Sequence, residues 1–308
     1  MNERIAELAD QVGPQVIATY RDIHRYPEPG WTEFRTASIV IKKLQELGGW
    51  EVKYGAEVVN EEAMMGVPPA EILAEKQQQA IKQGADPEIV AKLAGGKTGV
   101  VAILDTGKPG PTVGFRVDMD ANDMEEAQDE KHRPFREGFA SVNPGAMHAC
   151  GHDSHTAMGL GLAEVLLGIK DELKGKVKII FQPAEEGVRG AKSMAQAGVV
   201  DDVDYMIGIH IGGEACRVGH IICGVKGYLA TTKMDAIFTG VPAHAGGEPE
   251  AGKNALLAAA TAVLNLYAIS RHSGGSTRIN VGTLVAGTGR NVIPAQGSNE
   301  TRSERKYY

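Results

Sequence analysis

The sequence lacks the features that mark several classes of protein. Only 3 of its 308 residues are cysteine, which is too few for a disulfide framework. No apolar run reaches the roughly 18 residues that a membrane-spanning helix requires. The N-terminal stretch MNERIAELADQVG also lacks the apolar core of a secretory signal peptide. We therefore expect a protein of the reducing cytoplasm.

Positive charge and aromatic residues are also scarce. Lys and Arg number 32 against 39 Asp and Glu, and the net charge is −7, so a nucleic-acid partner is not expected. Aromatic residues make up 5 % of the chain, whereas 39 residues are glycine and 43 % are hydrophobic. This balance is typical of an α/β protein with many tight turns, and the length allows about two domains of roughly 150 residues each.

The segment MHACGHDSH, residues 147–155, carries the strongest chemical signal. It contains three of the nine histidines and one of the three cysteines. Thiolate and imidazole are ligands that zinc and related metals prefer, so the segment predicts a metal site. Cys150 and His152 are two residues apart, and in an extended backbone both side chains would point to the same side.

Further ligand-type residues follow predicted strands. A strand at 176–181 leads into QPAEEG, and a strand at 204–209 leads directly to a histidine. In an open α/β sheet, ligands bind at the carboxyl ends of the strands. We therefore expect four side chains to meet at one metal site: Cys150, His152, Glu186 and His210.

Two pairs of carboxylates complete this constellation. Glu185 and Glu186 are adjacent, so in an extended backbone one could bind metal while the other takes a proton from water. Asp118 and Asp120 follow a predicted strand at 112–117 and could orient a histidine, bind metal or belong to a turn.

Each of these residues alone has an ordinary structural explanation. Cys150 could be a small buried residue, the two glutamates could lie in a solvated loop, and His148 and His155 could be structural or at the surface. We favour a metal site because ligand-type residues follow several predicted strands of the same chain.

The rest of the pattern predicts the architecture. The fold class is α/β, with a mixed, mostly parallel sheet flanked by helices in residues 1–221, followed by a smaller α+β domain in 222–308. Residues 57–97 are polar and glutamine-rich and resemble an insertion. Pro14 is expected to break the N-terminal helix. Residues 298–308 show no periodicity and are expected to have no regular structure.

The motifs FRVDMDA, MHACGHDSHT, FQPAEEG and IGIH, in this order, resemble the amidohydrolase branch of the M20 metallopeptidase family. FTGVPAHAG and GTGRNVIP agree, and the resemblance spans about residues 3–295. It implies a metal-binding catalytic domain at 1–221 and a lid or dimerisation domain at 222–308. It also implies hydrolysis of a small N-acyl amino acid, with p-aminobenzoyl-glutamate, split into p-aminobenzoate and glutamate, as the expected substrate.

The resemblance assigns roles to residues of the first domain. Cys150 would bridge two divalent metal ions, manganese or zinc, and Glu185 would be the general base. His152, Glu186 and His210 would be terminal metal ligands.

In the second domain, the resemblance makes His244 a catalytic residue that binds the substrate or stabilises the oxyanion, often from a partner subunit. Asn291 and Arg290 would bind the substrate. A homodimer, or a heterodimer with a related subunit, is implied.

After Ala295 the sequence departs from the family pattern. We expect the chain to lack the family's last histidine ligand and the remaining strands of the smaller domain, which would leave an unpaired sheet edge along 277–285. An inactive truncated remnant or an interaction subunit is therefore the alternative to an active enzyme.

Overall fold

The computed structural model describes residues 2–212, 215, 217–227 and 230–307, with side chains through residue 298. The chain forms two compact units, Met1–Gly213 and Glu214–Tyr308. Among the described residues, no helix has both the length and the apolar character needed to cross a membrane.

The first unit contains a five-stranded sheet in the order β1-β2-β4-β3-β5. β2 is antiparallel to both of its neighbours, and the other four strands share one direction, which confirms the predicted mostly parallel sheet. The strands are β1 (Glu51–Tyr54), β2 (Val100–Asp105), β3 (Thr112–Asp118), β4 (Lys176–Gln182) and β5 (Tyr205–Gly208).

Helices cover this sheet, and alternate strand residues point into two apolar clusters. Ala102 and Ile179 contribute to the larger cluster, which includes residues of α2 and α6, whereas Val101 and Ile180 point to the opposite face. The helices are α1 (Asn2–Arg25), α2 (Phe34–Leu47), α3 (Ala70–Lys82), α4 (Pro87–Lys92), α5 (Arg133–Arg136), α6 (His152–Gly168) and α7 (Ala191–Gln196).

The predicted break at Pro14 is wrong, because α1 is one helix of 24 residues with the proline inside it. α1 packs closely on α6 through glycines of α6. A Cβ added at Gly161 would lie 2.6 Å from Val16, and one added at Gly168 would lie 2.7 Å from Leu8. This tertiary packing outweighs the local cost of the proline.

The polar segment 57–97 is an integral part of the first unit. It contains α3 and α4, whose side chains Leu73 and Ile89 join the main apolar core together with Leu93. The loop before α3 brings residues 64–67 next to the turn after β4, as described below.

The second unit has a three-stranded sheet in the order β6-β10-β8 and a two-stranded ribbon of β7 and β9. α8 packs on the larger sheet, with Ala255 and Ala259 buried. The elements are β6 (Ala230–Thr239), β7 (Ala243–His244), α8 (Ala255–Tyr267), β8 (Gly275–Ala286), β9 (Val292–Ile293) and β10 (Gln296–Tyr307).

The prediction of irregular structure after residue 297 is wrong. β10 lies between β6 and β8 and pairs with both in antiparallel register. The stretch 277–285 is therefore paired along β10 instead of being left without a neighbour there. Backbone hydrogen bonds to two neighbours form this strand without the apolar alternation on which the prediction relied.

Candidate metal centre

Cys150 and His152 lie on either side of a sharp turn. Gly151 has φ of 81°, in the left-handed region, and His152 is the first residue of α6. The extended backbone assumed for this pair does not form, because the chain turns into a helix here. The two side chains nevertheless meet, since the turn brings them to the same end of α6.

Two groups of metal-ligating atoms share His152. In each group the ligand atoms lie within 4.8 Å of one another. One group is Cys150, His152 and Glu186, and the other is Asp118, His152, His155 and His210. Each of the other three predicted metal ligands thus belongs to a group that contains His152.

The ring of His152 is oriented from one side and unpartnered on the other. Its Nδ1 lies 2.8 Å from the carbonyl oxygen of Asp120 and 3.2 Å from the Oδ1 atom of the same residue. In the neutral imidazole that a metal ion requires, this contact places the proton on Nδ1, while the buried Nε2 has no hydrogen-bond partner. An unsatisfied buried nitrogen is costly, so this donor set fits a bound metal ion.

Asp120 also fixes the turn that carries the two glutamates. Its carboxylate accepts hydrogen bonds from the backbone N–H groups of Glu185 at 2.9 Å and Glu186 at 2.8 Å. Of the roles considered for this aspartate, the geometry therefore favours orientation of a histidine and of a backbone turn.

Asp118 orients a second histidine, His155, whose Nδ1 lies 2.5 Å from the Asp118 carboxylate. The Nε2 atom of His155 accepts a hydrogen bond from the backbone N–H of Ile211 at 2.8 Å. Both ring nitrogens are therefore occupied, and His155 positions the segment next to His210. The Nδ1 of His210 lies 2.6 Å from the carbonyl of Ile211, which leaves its Nε2 as the nitrogen that could bind a metal ion.

Asn122 is a site residue that the sequence analysis missed. Its Nδ2 donates to Glu186 Oε1 at 2.6 Å, and its Oδ1 accepts from the backbone N–H groups of Ala149 and Cys150 at 3.1 and 3.2 Å. It thus ties two predicted metal ligands together. Its position two residues after Asp120 was the available signal, since alternate residues of an extended segment share a side.

The carboxylates of the site favour a positive charge. Burial, followed by the neighbouring Glu186, raises the pKa of the Cys150 thiol to about 11. Burial lowers the pKa of His152, but Asp120 and Asp118 outweigh it and raise that pKa to about 9. Burial also raises the pKa of Glu185, whose Oε2 lies 3.9 Å from His152 Nε2. A bound divalent cation would supply the positive charge that these carboxylates stabilise, in place of a proton on His152.

In the second unit, the ribbon of β7 and β9 and the turn before β9 carry the remaining predicted residues. His244 pairs with Val292, and the carbonyl of Asn291 accepts the backbone N–H of Ala245 at 3.0 Å. The Nδ1 of His244 accepts N–H groups from two glycines, 246 and 247, at 3.2 and 3.0 Å. The proton of a neutral His244 is therefore on Nε2. Arg290 is exposed and lies in the turn that precedes β9.

A second buried network, also missed by the sequence analysis, lies behind the metal centre. His24 Nδ1 is 2.6 Å from Asp153, and its Nε2 is 2.9 Å from Glu126. Glu126 also contacts His132 at 2.6 Å. Because Asp153 directly follows His152, this network anchors the first turn of α6.

The His24 network predicts a pH-dependent contribution to stability. Burial lowers the pKa of His24, but Asp153 and Glu126 raise it overall, while the pKa values of both carboxyl groups are lowered. The histidine contribution is complete below its unfolded pKa of about 6.5 and is lost as pH rises through the higher folded pKa. The carboxylate contribution is complete above an unfolded pKa of about 4 and is lost as pH falls.

We expect His24→Gln to lower the free energy of unfolding by about 3 kcal/mol near pH 6, because it removes the cation that two buried carboxylates share. Urea unfolding of both proteins from pH 5 to 9 would measure this difference. It should shrink as pH rises through the folded pKa of His24. A difference that stays constant over this range would contradict a charged His24.

Comparison with known proteins agrees with this geometry. The model of peptidase family M20/M25/M40 matches residues 114–292. The chain is 55 % identical over 306 residues to indole-3-acetyl-aspartic acid hydrolase of Enterobacter agglomerans, covering 99 % of this chain and 69 % of the relative. It is 53 % identical over 293 residues to one of the subunits of p-aminobenzoyl-glutamate hydrolase of Escherichia coli K12, covering 95 % and 67 %.

Solved structures show the same relationship. The aminobenzoyl-glutamate utilization protein from Klebsiella pneumoniae superposes with a TM-score of 0.74 at 45 % identity, covering 97 % of this chain and 69 % of that one. The Bacillus subtilis YXEP protein, a dinuclear metal binding peptidase from the M20 family, gives 0.56 at 29 % identity, covering 96 % and 65 %.

Fold, site and comparisons together define a hydrolase of the amidohydrolase and peptidase class, with a mixed α/β fold and a candidate metal centre. The chain belongs to peptidase family M20/M25/M40.

Proposed function

We propose that this chain is a metal-dependent amidohydrolase that releases an acidic amino acid from an aromatic N-acyl conjugate. The observation that carries the proposal is the placement of Glu185, whose Oε2 lies 3.9 Å from His152 Nε2 although Glu185 belongs to neither group of metal-ligating atoms. This arrangement separates a free carboxylate from the residues that would hold metal. That division of roles suits hydrolysis of an amide by water.

The residues that would hold two divalent ions, manganese or zinc, are Cys150, His152, Glu186 and His210. When bound, the metal supplies an activated water and polarises the amide carbonyl. Asp120 and Asn122 support this arrangement by holding three of the ligands through the contacts described above.

Glu185 acts as the general base and takes the proton of the attacking water. Its raised pKa brings the carboxylate closer to the range in which it can accept a proton and later deliver it to the leaving amine. The hydrogen bond from the backbone N–H of Glu185 to Asp120 fixes the backbone position from which the Glu185 side chain extends.

His244 donates a hydrogen bond from Nε2 to the oxyanion that forms on the amide carbonyl. The two glycine N–H groups on Nδ1 support this role, because they hold the ring in the tautomer that donates from Nε2. Asn291 and Arg290 lie in the turn before β9, where the Asn291 carbonyl accepts the backbone N–H of Ala245, and they would bind the carboxylate groups of the substrate.

We expect His244→Ala to lower kcat/KM by about 10²-fold or more, the range for loss of one oxyanion donor. Metal content should stay unchanged, since His244 lies outside both ligand groups. Steady-state kinetics and elemental analysis would measure the two quantities. His272→Ala, at another exposed histidine of the same unit, is the matched control. Wild-type kinetics for His244→Ala would mean that His244 is a surface histidine without a catalytic role.

The substrate class follows from the relatives, whose names combine an aromatic acyl group with aspartate or glutamate. We propose p-aminobenzoyl-glutamate as the first substrate to assay and indole-3-acetyl-aspartate as the second. The metal-reconstituted chain should release glutamate or aspartate, and EDTA should stop the reaction. Metal binding without release of either product would favour the alternative of an inactive remnant or interaction subunit.

A homodimer, or a heterodimer with a related subunit, is the proposed assembly. The Escherichia coli relative supports it, because its name describes it as one subunit of a hydrolase. Light scattering of the purified chain, both by itself and with a candidate second subunit, tests this assembly directly.

A further inference from the structure

The turn that carries Glu185 and Glu186 is held from a second direction, by Arg189. The Nε of Arg189 donates to the carbonyl of Glu186 at 2.9 Å, and its Nη1 donates to the carbonyl of Gly66 at 3.1 Å. One half-buried guanidinium therefore bridges the turn after β4 and the loop at residues 64–67, which belongs to the polar segment 57–97.

The space around this guanidinium is fitted to it. A Cβ added at Gly30 would lie 2.5 Å from Arg189 Nη2, and one added at Gly66 would lie 3.0 Å from Arg189 Cδ. Gly66 also has φ of 62°, which disfavours any other residue. The side chain of Arg189 thus lies between two backbone segments that approach it closely.

The loop that Arg189 reaches is itself anchored. The buried Trp31 donates from Nε1 to the carbonyl of Met65 at 2.8 Å. On the other side, the backbone N–H of Arg189 donates to the carbonyl of Ala184 at 3.2 Å. Both ends of the bridge are therefore fixed to the first unit.

The turn itself needs such support, because its backbone is strained. Ala184 and Val188 have φ of 47° and 58°, values that residues with a Cβ rarely adopt. Backbone in such conformations persists only where surrounding contacts determine it. The guanidinium supplies one of these contacts at Glu186, between the two strained residues.

We infer that Arg189 is a positioning residue through which the segment 57–97 sets the placement of Glu185 and Glu186. It lies outside both groups of metal-ligating atoms, and it acts by fixing the carbonyl of Glu186. Lysine would not reproduce it, because an ammonium group lacks the planar fork that reaches two carbonyls in fixed directions. The inference rests on the proposed function for its kinetic consequences, but its effect on metal binding is independent of the substrate.

The test compares Mn²⁺ binding by calorimetry and turnover of p-aminobenzoyl-glutamate in the full chain. We expect Arg189→Ala to weaken Mn²⁺ binding by about 10–100-fold, the usual cost of losing a group that orients a metal ligand. kcat should fall with it, while KM changes less, because Glu185 and Glu186 act on water and metal. Arg189→Lys should recover only part of the loss. Lys192→Ala, at an exposed lysine of α7, should behave as wild type.

A second arm uses Gly66→Ala, whose Cβ would push against the Arg189 side chain. Its effect on Mn²⁺ affinity should disappear in the Arg189→Ala background, because the contact is then absent. Urea midpoints identify any variant that has merely lost stability. Wild-type Mn²⁺ affinity in a folded Arg189→Ala protein, or strictly additive effects of the two substitutions, would overturn the inference. A wild-type chain that binds Mn²⁺ but hydrolyses no conjugate would refute the proposed function alone.

Discussion

Glu185→Gln should reduce kcat by about 10²–10⁴-fold, the range for loss of a general base, while leaving metal content unchanged. The amide cannot accept the proton of the attacking water. Its backbone N–H still reaches Asp120, so the turn keeps its geometry. Initial rates on p-aminobenzoyl-glutamate, together with elemental analysis of the same sample, would measure both quantities.

Glu186→Gln is the informative comparison, because the two glutamates are adjacent but placed differently. Glu186 belongs to the group with Cys150 and His152, and it also accepts a hydrogen bond from Asn122. Its substitution should lose metal and turnover together. If Glu185→Gln kept near-full activity, Glu185 would not be the base, and if it lost metal, the roles of the two glutamates would be shared.

The gathering of ligand-type residues at one place could be predicted from the sequence, because strand direction determines where the ends of strands meet. β3, β4 and β5 are parallel, so the residues that follow them gather at one edge of the sheet. Strand direction therefore predicts that Glu186 and His210 lie at this edge, and each belongs to a group of metal-ligating atoms that contains His152.

The contacts that orient these ligands could not be predicted in the same way, because they depend on backbone turns. Gly151 in the left-handed region replaces the extended geometry assumed for Cys150 and His152. Asn122 reaches across to two of the ligands through a side-chain amide, whose partners sequence spacing does not specify. Arg189 acts through backbone carbonyls, which carry no sequence signal at all.

Long-range packing explains the other differences. Pro14 does not end α1 because the close contact with the glycines of α6 stabilises the helix as a whole. β10 forms because β6 and β8 each offer it a row of backbone partners. In both cases contacts distant in sequence outweigh local preference.

Among single substitutions at the site, replacing His152 should cause the largest loss of bound metal and of turnover. It is the residue shared by both ligand groups, and its buried Nε2 has no hydrogen-bond partner. His152→Ala should therefore bind metal too weakly to be retained through gel filtration, and turnover should be undetectable. Cys150→Ala should lose metal and turnover together as well, since it removes the thiolate from the group that contains Glu186.

Elemental analysis after metal reconstitution and gel filtration measures this loss, and circular dichroism checks that the fold is retained. Two matched controls come from the same chain: Cys223→Ala removes an exposed free cysteine, and His220→Ala removes an exposed histidine outside both ligand groups. Both should keep wild-type metal content. Because Asp120 already holds Nδ1 of His152, only Nε2 is available to a metal ion, so full metal retention by His152→Ala would mean that the metal binds elsewhere.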